Sequence, residues 1–253
     1  SYSNGNAEIR LGKALSSRDL EGLIVSTKGG TILSRGNRVS KNFTRESLFS
    51  NLHKSLKNLK LEKIDLFQLH SPRIYDLNGD LYDTILRMKE QGKILHCGIS
   101  CDGEVLKKAI HSDIFDTVMC TYNIIDHQSI KLIKEAKSKN IGTIIKSPLA
   151  HAVFSNQIFR INNIQSIWYF LRILKNFKSK LVKGYRYRFL NSIKGLSAVE
   201  IALNFVIRNE NIDLVMIGTT NEKHLLENLN SLQKRIPASI IKKIDEIHLA
   251  SLK

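Results

Sequence analysis

Residues 64–70, IDLFQLH, are the stretch that decides the fold class of this 253-residue chain. The run is apolar, has the length of one β-strand and ends at His70. Helical patterns flank it on both sides, over 44–60, where Thr44 can cap the helix, and over 80–91. A strand that lies between two helices and is apolar without alternation is typical of a parallel strand buried on both faces.

The same alternation of strand and helix extends along the whole chain. Six strands are predicted, at 23–28, 64–70, 94–100, 115–123, 141–147 and 213–219. Helices are predicted at 6–15, 44–60, 80–91, 103–111, 128–138, 197–209, 221–232 and 237–248, the first with Asn6 as its cap. A doubly wound sheet tolerates six strands and a (β/α)8 barrel needs eight, so the pattern alone leaves both open. The absence of Gly-x-Gly-x-x-Gly after any strand weakens the dinucleotide-fold alternative.

Each predicted strand ends in a polar residue. The series in chain order is Lys28, His70, Ser100, Asn123, Ser147 and Thr219. Lysine and histidine are costly on buried strands unless they are paired or used, and barrel enzymes place their functional groups at these strand ends. Taken together, Lys28 and His70 on consecutive strands favour a functional site over a solvent-reaching lysine and a core imidazole.

Composition excludes several classes of protein. The formal net charge is +16, with 42% hydrophobic residues and three cysteines, Cys97, Cys101 and Cys120, which we expect to be buried reduced thiols. No apolar run is long enough to span a bilayer, and no basic-then-apolar leader precedes the first helix, so a cytoplasmic protein without a membrane partner is expected. The lysines are spread over many helices, although 172–194 is densely basic. We therefore expect no nucleic-acid partner.

Several motifs together resemble the aldo-keto reductase family. They are YSNGNAEIRLGKAL, IVSTKGG, DLFQLHSP, GKILHCGIS, FDTVMCTYN, IIKSPLA and VMIGTTNEKHLLENL, in the family's order and spacing over nearly the entire chain. The resemblance implies a (β/α)8 TIM barrel that reduces a small aldehyde or ketone with NADPH and lacks the Rossmann fingerprint. The sequence has no Cys-x-x-Cys pair or His-rich ligand cluster, so no metal is expected.

The resemblance also places the start of the chain within the family's barrel. Tyr2 matches the catalytic tyrosine that follows the family's second strand. The expectation is therefore an N-terminally truncated barrel, a single domain over 1–253 that lacks the first two strands and the first helix. Residues 151–196 match the long connection before helix seven. Its Trp168, Tyr169 and Phe170 either line a pocket or form the apolar face of an extra helix, and helical periodicity favours the helix.

The resemblance assigns three catalytic residues. Tyr2 is the acid that protonates the carbonyl oxygen, Lys28 is the cation that lowers the pKa of that phenol from about 10, and His70 hydrogen-bonds the carbonyl oxygen.

The resemblance assigns cofactor contacts as well. They fall on Ser100, Ser147, Pro148, Leu149, Thr219, Thr220, Asn221, His224, Glu227 and Asn228. His224 stands where an arginine often binds the 2′-phosphate, and NADPH is expected in preference to NADH.

Three residues depart from the family pattern near the nicotinamide. Cys101 replaces an asparagine, Met119 a glutamine, and Lys146 an aromatic residue that stacks on the nicotinamide. The departures support an alternative hypothesis, a non-catalytic nucleotide-binding member that acts as a regulatory or interaction subunit.

Overall fold

The computed structural model describes residues 5–17, 19–34, 38–156, 164–219 and 221–251. They divide into two compact units, one running from 5 to 120 with Glu135–Gly142, the other comprising Thr121–Lys134 and the residues from Thr143 onward.

The first unit contains a parallel sheet with helices packed against it. Its elements are α1 (Asn6–Leu15), β1 (Ser26–Gly29), β2 (Thr31–Ser34), β3 (Arg38–Lys41), α2 (Arg45–Leu59), β4 (Ile64–His70), α3 (Gly79–Glu90), β5 (Ile94–Ser100), α4 (Gly103–Ile110) and β6 (Thr117–Thr121). The sheet order is β1-β4-β5-β6, and each neighbouring pair is parallel. The predicted α2 begins after its cap Thr44, and its leucine stripe, Leu48, Leu52, Leu56 and Leu59, is buried.

The second unit contains one parallel strand pair and most of the remaining helices. Its elements are β7 (Gly142–Lys146), α6 (Ile164–Asn176), α7 (Lys178–Tyr185), α8 (Ala198–Ile207), β8 (Leu214–Val215), α9 (Glu222–Ser231) and α10 (Ala238–Ala250), and α5 (Ile130–Ser138) straddles the division between the units. β7 and β8 pair in parallel, with Ile144 opposite Leu214. Ser197 caps α8 in a capping box with Glu200. Burial raises the pKa of Glu200, but the hydrogen bonds with Lys234 and Ser197 outweigh burial, so the pKa lies below its ordinary value.

The described residues therefore contain the six parallel strands that the sequence predicts, and all three cysteines are buried and reduced as expected. Boundaries differ at the ends of the series. The first strand starts only at Ser26, and the last covers only Leu214–Val215. Asn6 is the first helical residue instead of the cap, which is Gly5.

The sequence pattern missed the antiparallel hairpin formed by β2 and β3. It places Thr31 opposite Lys41. Four-residue strands of mixed polarity carry no clear apolar signal, so the pattern offered no evidence for them. The extra helix expected within 151–196 is present as α6, followed by α7.

Candidate active site

Strand register places the predicted catalytic residues of the first unit on one face of its sheet. Lys28 lies opposite Gln68, His70 lies opposite Ser100, and Ser100 lies opposite Met119. Neighbours in register share a face, as do residues two apart along a strand. Lys28, His70 and Ser100 therefore share a face, as the barrel hypothesis requires, and Met119 shares it with them.

The side chain of His70 is held by a short hydrogen-bonded chain from the hairpin. The Thr31 hydroxyl lies 3.1 Å from Nδ1 of His70. Nζ of Lys41 donates to that same hydroxyl at 2.8 Å and to the carbonyl oxygen of His70 at 2.5 Å. Partial burial lowers the pKa of Lys41.

This chain of hydrogen bonds accommodates the tautomer of His70 that accepts at Nδ1. An ammonium group can only donate, so the Thr31 oxygen accepts from Lys41, and the Thr31 hydroxyl hydrogen can be donated to Nδ1. A neutral imidazole that accepts at Nδ1 carries its proton on Nε2. In that tautomer Nε2 of His70 is a hydrogen-bond donor. Neither Thr31 nor Lys41 was predicted, because both lie on the hairpin that the sequence pattern missed.

Lys28 is half-buried and is followed by a turn that depends on glycine. Gly30 has φ of +87°, and a Cβ there would lie 2.0 Å from Cε1 of Phe43. The amide of Gly30 donates to Oδ1 of Asn51 at 2.8 Å. The turn fixes the backbone immediately after Lys28 and admits only glycine without rearrangement.

Glu8 ties α1 to the strand that carries Lys28. Its carboxylate accepts hydrogen bonds from the Thr27 hydroxyl at 2.6 Å, the Ser55 hydroxyl at 2.7 Å and Nδ2 of Asn58 at 3.0 Å. Burial raises the pKa of Glu8, but these hydrogen bonds outweigh burial, so the pKa lies below its ordinary value. Glu8 thereby fixes the start of α1. Tyr2, which precedes α1 in the sequence, lies outside the described residues.

The departures from the family pattern in the first unit are buried. Ser100 is buried, with its hydroxyl on the face shared with His70, and Met119 and Cys101 are buried as well. A hydroxyl both donates and accepts, whereas a thioether is a weak acceptor and a thiol a weak donor. Of the three positions 100, 101 and 119, only Ser100 therefore offers a strong hydrogen-bonding side chain.

In the second unit, β7 is followed by a tight turn with unusual backbone geometry. Ser147 has φ of +56°, and Ala150, His151 and Ala152 are also left-handed. The Ser147 carbonyl accepts from Nδ2 of Asn123 at 3.1 Å. Pro148 is buried and Leu149 half-buried. Such concentrated strain is characteristic of ligand-contacting turns, which suits the predicted pyrophosphate role of residues 147–149.

The predicted adenosine contacts lie around the start of α9. Asn221 caps the helix, accepting from the amide of Lys223 at 2.9 Å, and the Thr219 hydroxyl accepts from the amide of Asn221 at 3.1 Å. His224 and Glu227 are exposed, and Asn228 is buried. Thr220 lies outside the described residues. A capped helix start with a hydroxyl and an imidazole suits a phosphate group.

Comparison with known proteins agrees with this fold. The sequence profile described as the aldo/keto reductase family matches residues 1–249, and the chain belongs to that family. The aldo-keto reductase AKR11C1 from Bacillus halodurans, solved in its holo form, superposes with a TM-score of 0.79 at 19% identity, covering 97% of this chain and 79% of that one. The fold is therefore that of the aldo-keto reductases, the TIM barrel class. The truncation stays a prediction.

Two curated relatives differ in their named functions. The NADH-specific methylglyoxal reductase of Escherichia coli is 21% identical over 91% of this chain and 76% of its own length. A probable voltage-gated potassium channel subunit beta of Oryza sativa subsp. japonica is 25% identical over 97% of this chain and 79% of its own. The chain spans 66 to 79% of the length of the curated relatives compared.

Proposed function

We propose that the protein containing this chain reduces the carbonyl group of a small aldehyde or ketone, using a reduced nicotinamide dinucleotide. The observation that carries the proposal is the shared face of Lys28 and His70, with the imidazole of His70 hydrogen-bonded to the Thr31 hydroxyl, which also accepts from Lys41. A site of this kind needs a cation and a fixed hydrogen-bond donor beside the reacting carbonyl.

Each catalytic side chain has a separate task. Bound reduced nicotinamide supplies the hydride. His70 donates a hydrogen bond from Nε2 to the carbonyl oxygen and orients it. Tyr2 protonates that oxygen as negative charge develops, and Lys28 favours the phenolate that is left behind.

The cofactor contacts are proposed separately for each unit. In the first, Ser100 bonds the carboxamide of the nicotinamide. In the second, residues 147–149 contact the pyrophosphate and the segment 219–228 contacts the adenosine end. We propose NADPH as the preferred cofactor because exposed His224, at the start of α9, suits a 2′-phosphate. The NADH-specific relative makes NADH the competing outcome. If NADH is the cofactor, His224→Ala should leave the KM for NADPH and the KM for NADH unchanged. If NADPH is the cofactor, His224→Ala should raise the KM for NADPH alone.

The test of activity uses the complete protein. Reduced-nicotinamide absorbance is followed with a panel of aldehydes and ketones, for wild type and Tyr2→Phe. We expect Tyr2→Phe to lose at least about 100-fold in kcat while its cofactor affinity stays unchanged, since the phenyl ring lacks the proton. Undiminished turnover in Tyr2→Phe would reject the assigned acid.

A second candidate function rests on buried Met119. This thioether shares the face of Ser100 but cannot replace a carboxamide as a strong hydrogen-bonding partner. The alternative is a member that binds nucleotide and serves as a regulatory or interaction subunit, and one relative is named as a probable voltage-gated potassium channel subunit beta. Tight cofactor binding without turnover of any carbonyl in the panel would favour it.

A further inference from the structure

Helix α6 exposes an apolar face that its own unit does not cover. The exposed side chains are Ile164 (72% exposed), Ile167, Trp168 (70%), Leu171 and Leu174. They recur every three or four residues and therefore form one stripe along the helix. Ile173 is buried and, at 3.6 residues per turn, lies on the opposite side from Ile164. The helix is thus anchored by one side and presents its apolar stripe on the other.

Helix α7 extends this apolar surface. Val182 and Tyr185, one turn apart, are each 67% exposed. The helix is seated by Gly184, where a Cβ would lie 2.8 Å from Cγ2 of Val153. Its close packing leaves Val182 and Tyr185 pointing away from the unit's interior. We call the exposed side chains of α6 and α7 together the α6–α7 face.

Cations border the α6–α7 face. The exposed ones are Arg172, Lys175, Lys178, Lys183 and Arg186. From residue 136 to residue 199 the sequence contains no aspartate or glutamate. An apolar stripe with a tryptophan, bordered by lysine and arginine, is the pattern of a helix that lies in a lipid–water interface.

We propose that the α6–α7 face binds the surface of an anionic phospholipid bilayer. The apolar stripe would enter the boundary between head groups and acyl chains, and the bordering cations would contact the anionic head groups. Charge argues against a second copy of this strongly basic chain as the occupant, because the same cations would then face one another. Five aliphatic side chains, Ile164, Ile167, Leu171, Leu174 and Val182, argue against nucleic acid, which calls for aromatic stacking and phosphate contacts.

This attachment is peripheral. Among the described residues, every helix falls short of the length and apolarity that a membrane span requires. The sequence predicted no membrane partner because that expectation rested only on membrane spans and leaders. The α6–α7 face becomes evident only when the exposed and buried sides of α6 are known.

Trp168 allows a direct test because it is the only tryptophan of the chain. Its fluorescence is measured with vesicles of phosphatidylcholine containing phosphatidylserine and with vesicles of phosphatidylcholine alone, alongside cosedimentation. We expect a blue-shifted emission and cosedimentation with the anionic vesicles, both reversed by high salt. Brominated acyl chains in those vesicles should quench Trp168.

Two variants with matched controls separate the contributions of charge and apolar surface. Lys175→Glu with Lys178→Glu should lower the partition coefficient at least about 25-fold, from about fivefold for each cation removed. Ile167→Gln with Leu171→Gln should remove the blue shift while Trp168 stays in place. The controls are Lys131→Glu with Lys134→Glu on α5 and Leu86→Gln with Leu249→Gln, all exposed residues outside the α6–α7 face. These controls should bind as wild type does.

Three results would overturn the proposal. The first is equal binding to neutral and anionic vesicles, or binding to neither. The second is a blue shift that depends on protein concentration without lipid, which would identify a second copy as the occupant. The third is salt-sensitive retention on RNA by a protein whose Trp168 does not respond to vesicles.

Discussion

Replacing Thr31 with valine should slow carbonyl reduction by removing the hydroxyl that links the imidazole of His70 to Lys41. Valine keeps the shape of threonine but lacks the hydroxyl that lies 3.1 Å from Nδ1 of His70 and accepts from Nζ of Lys41 at 2.8 Å. Hydrogen bonds that involve a charged group are worth about 1.5–3 kcal/mol. If that energy orients His70 in the transition state, kcat/KM should fall by about 10- to 150-fold.

The assay combines kinetics with a direct observation of the imidazole. Long-range proton–nitrogen correlation spectra of the wild type should show Nδ1 of His70 unprotonated and Nε2 protonated, whereas Thr31→Val should show a mixture of tautomers. Thr31→Ser keeps a hydroxyl and should restore both the spectrum and the rate. Cofactor affinity should be the same in all three proteins, which separates positioning of His70 from general damage to the fold.

Two results would refute this reasoning. One is a Thr31→Val protein with wild-type kcat/KM. The other is a wild-type spectrum with the proton on Nδ1, since the hydroxyl would then accept from His70 instead of donating to it.

Three further substitutions test the turn at Gly30, the hydrogen bonds of Glu8 and the buried imidazole of His127. Gly30→Ala should lower the free energy of unfolding by more than about 1 kcal/mol in urea titrations, because its Cβ would lie 2.0 Å from Phe43 at a left-handed φ; unchanged stability would contradict the turn. Glu8→Gln should destabilise the protein most near neutral pH, since the lowered pKa of Glu8 gives stability that is lost as pH falls through it; a pH-independent difference would contradict the carboxylate network. Burial lowers the pKa of His127 from 6.5 to about 4, and the charge of His248, whose ring centroid lies 3.9 Å away, adds to this effect. As pH falls from 6.5 to about 4, the histidine of the unfolded chain is protonated first, so the free energy of unfolding should fall by about 3 kcal/mol. His127→Phe should abolish that loss, and an unchanged slope of unfolding free energy against pH would contradict it.

The sequence predicted the repeating frame because that frame depends on local patterns. IDLFQLH and ILHCGIS appear as strands at the predicted residues, and Thr44 caps α2 where the sequence places the cap. The polar residues that end these two strands therefore lie at the same edge of the sheet, because parallel strands bring their carboxyl ends together. Register places Lys28, His70 and Ser100 on one face of the sheet.

The contacts that orient those groups depend on tertiary packing and could not be predicted. Lys41 reaches His70 from 29 positions away in the sequence, through a hairpin whose strands have no apolar alternation. Glu8 reads as an ordinary acidic residue in the first turn of a helix, yet it accepts hydrogen bonds from three separate side chains. The exposure of α6 was equally hidden, because an apolar stripe on a helix normally predicts burial.

Transfer of deuterium from the cofactor to product tests the central claim most directly. The complete protein is given reduced nicotinamide dinucleotide deuterated on both faces of C4, and the alcohol product is analysed by mass spectrometry. We predict one deuterium at the carbinol carbon for the wild type, with the rate reduced at least about 100-fold in Lys28→Met and in His70→Gln. Undiminished transfer in both variants, or cofactor that binds without transferring deuterium to any aldehyde or ketone, would contradict the proposed reductase.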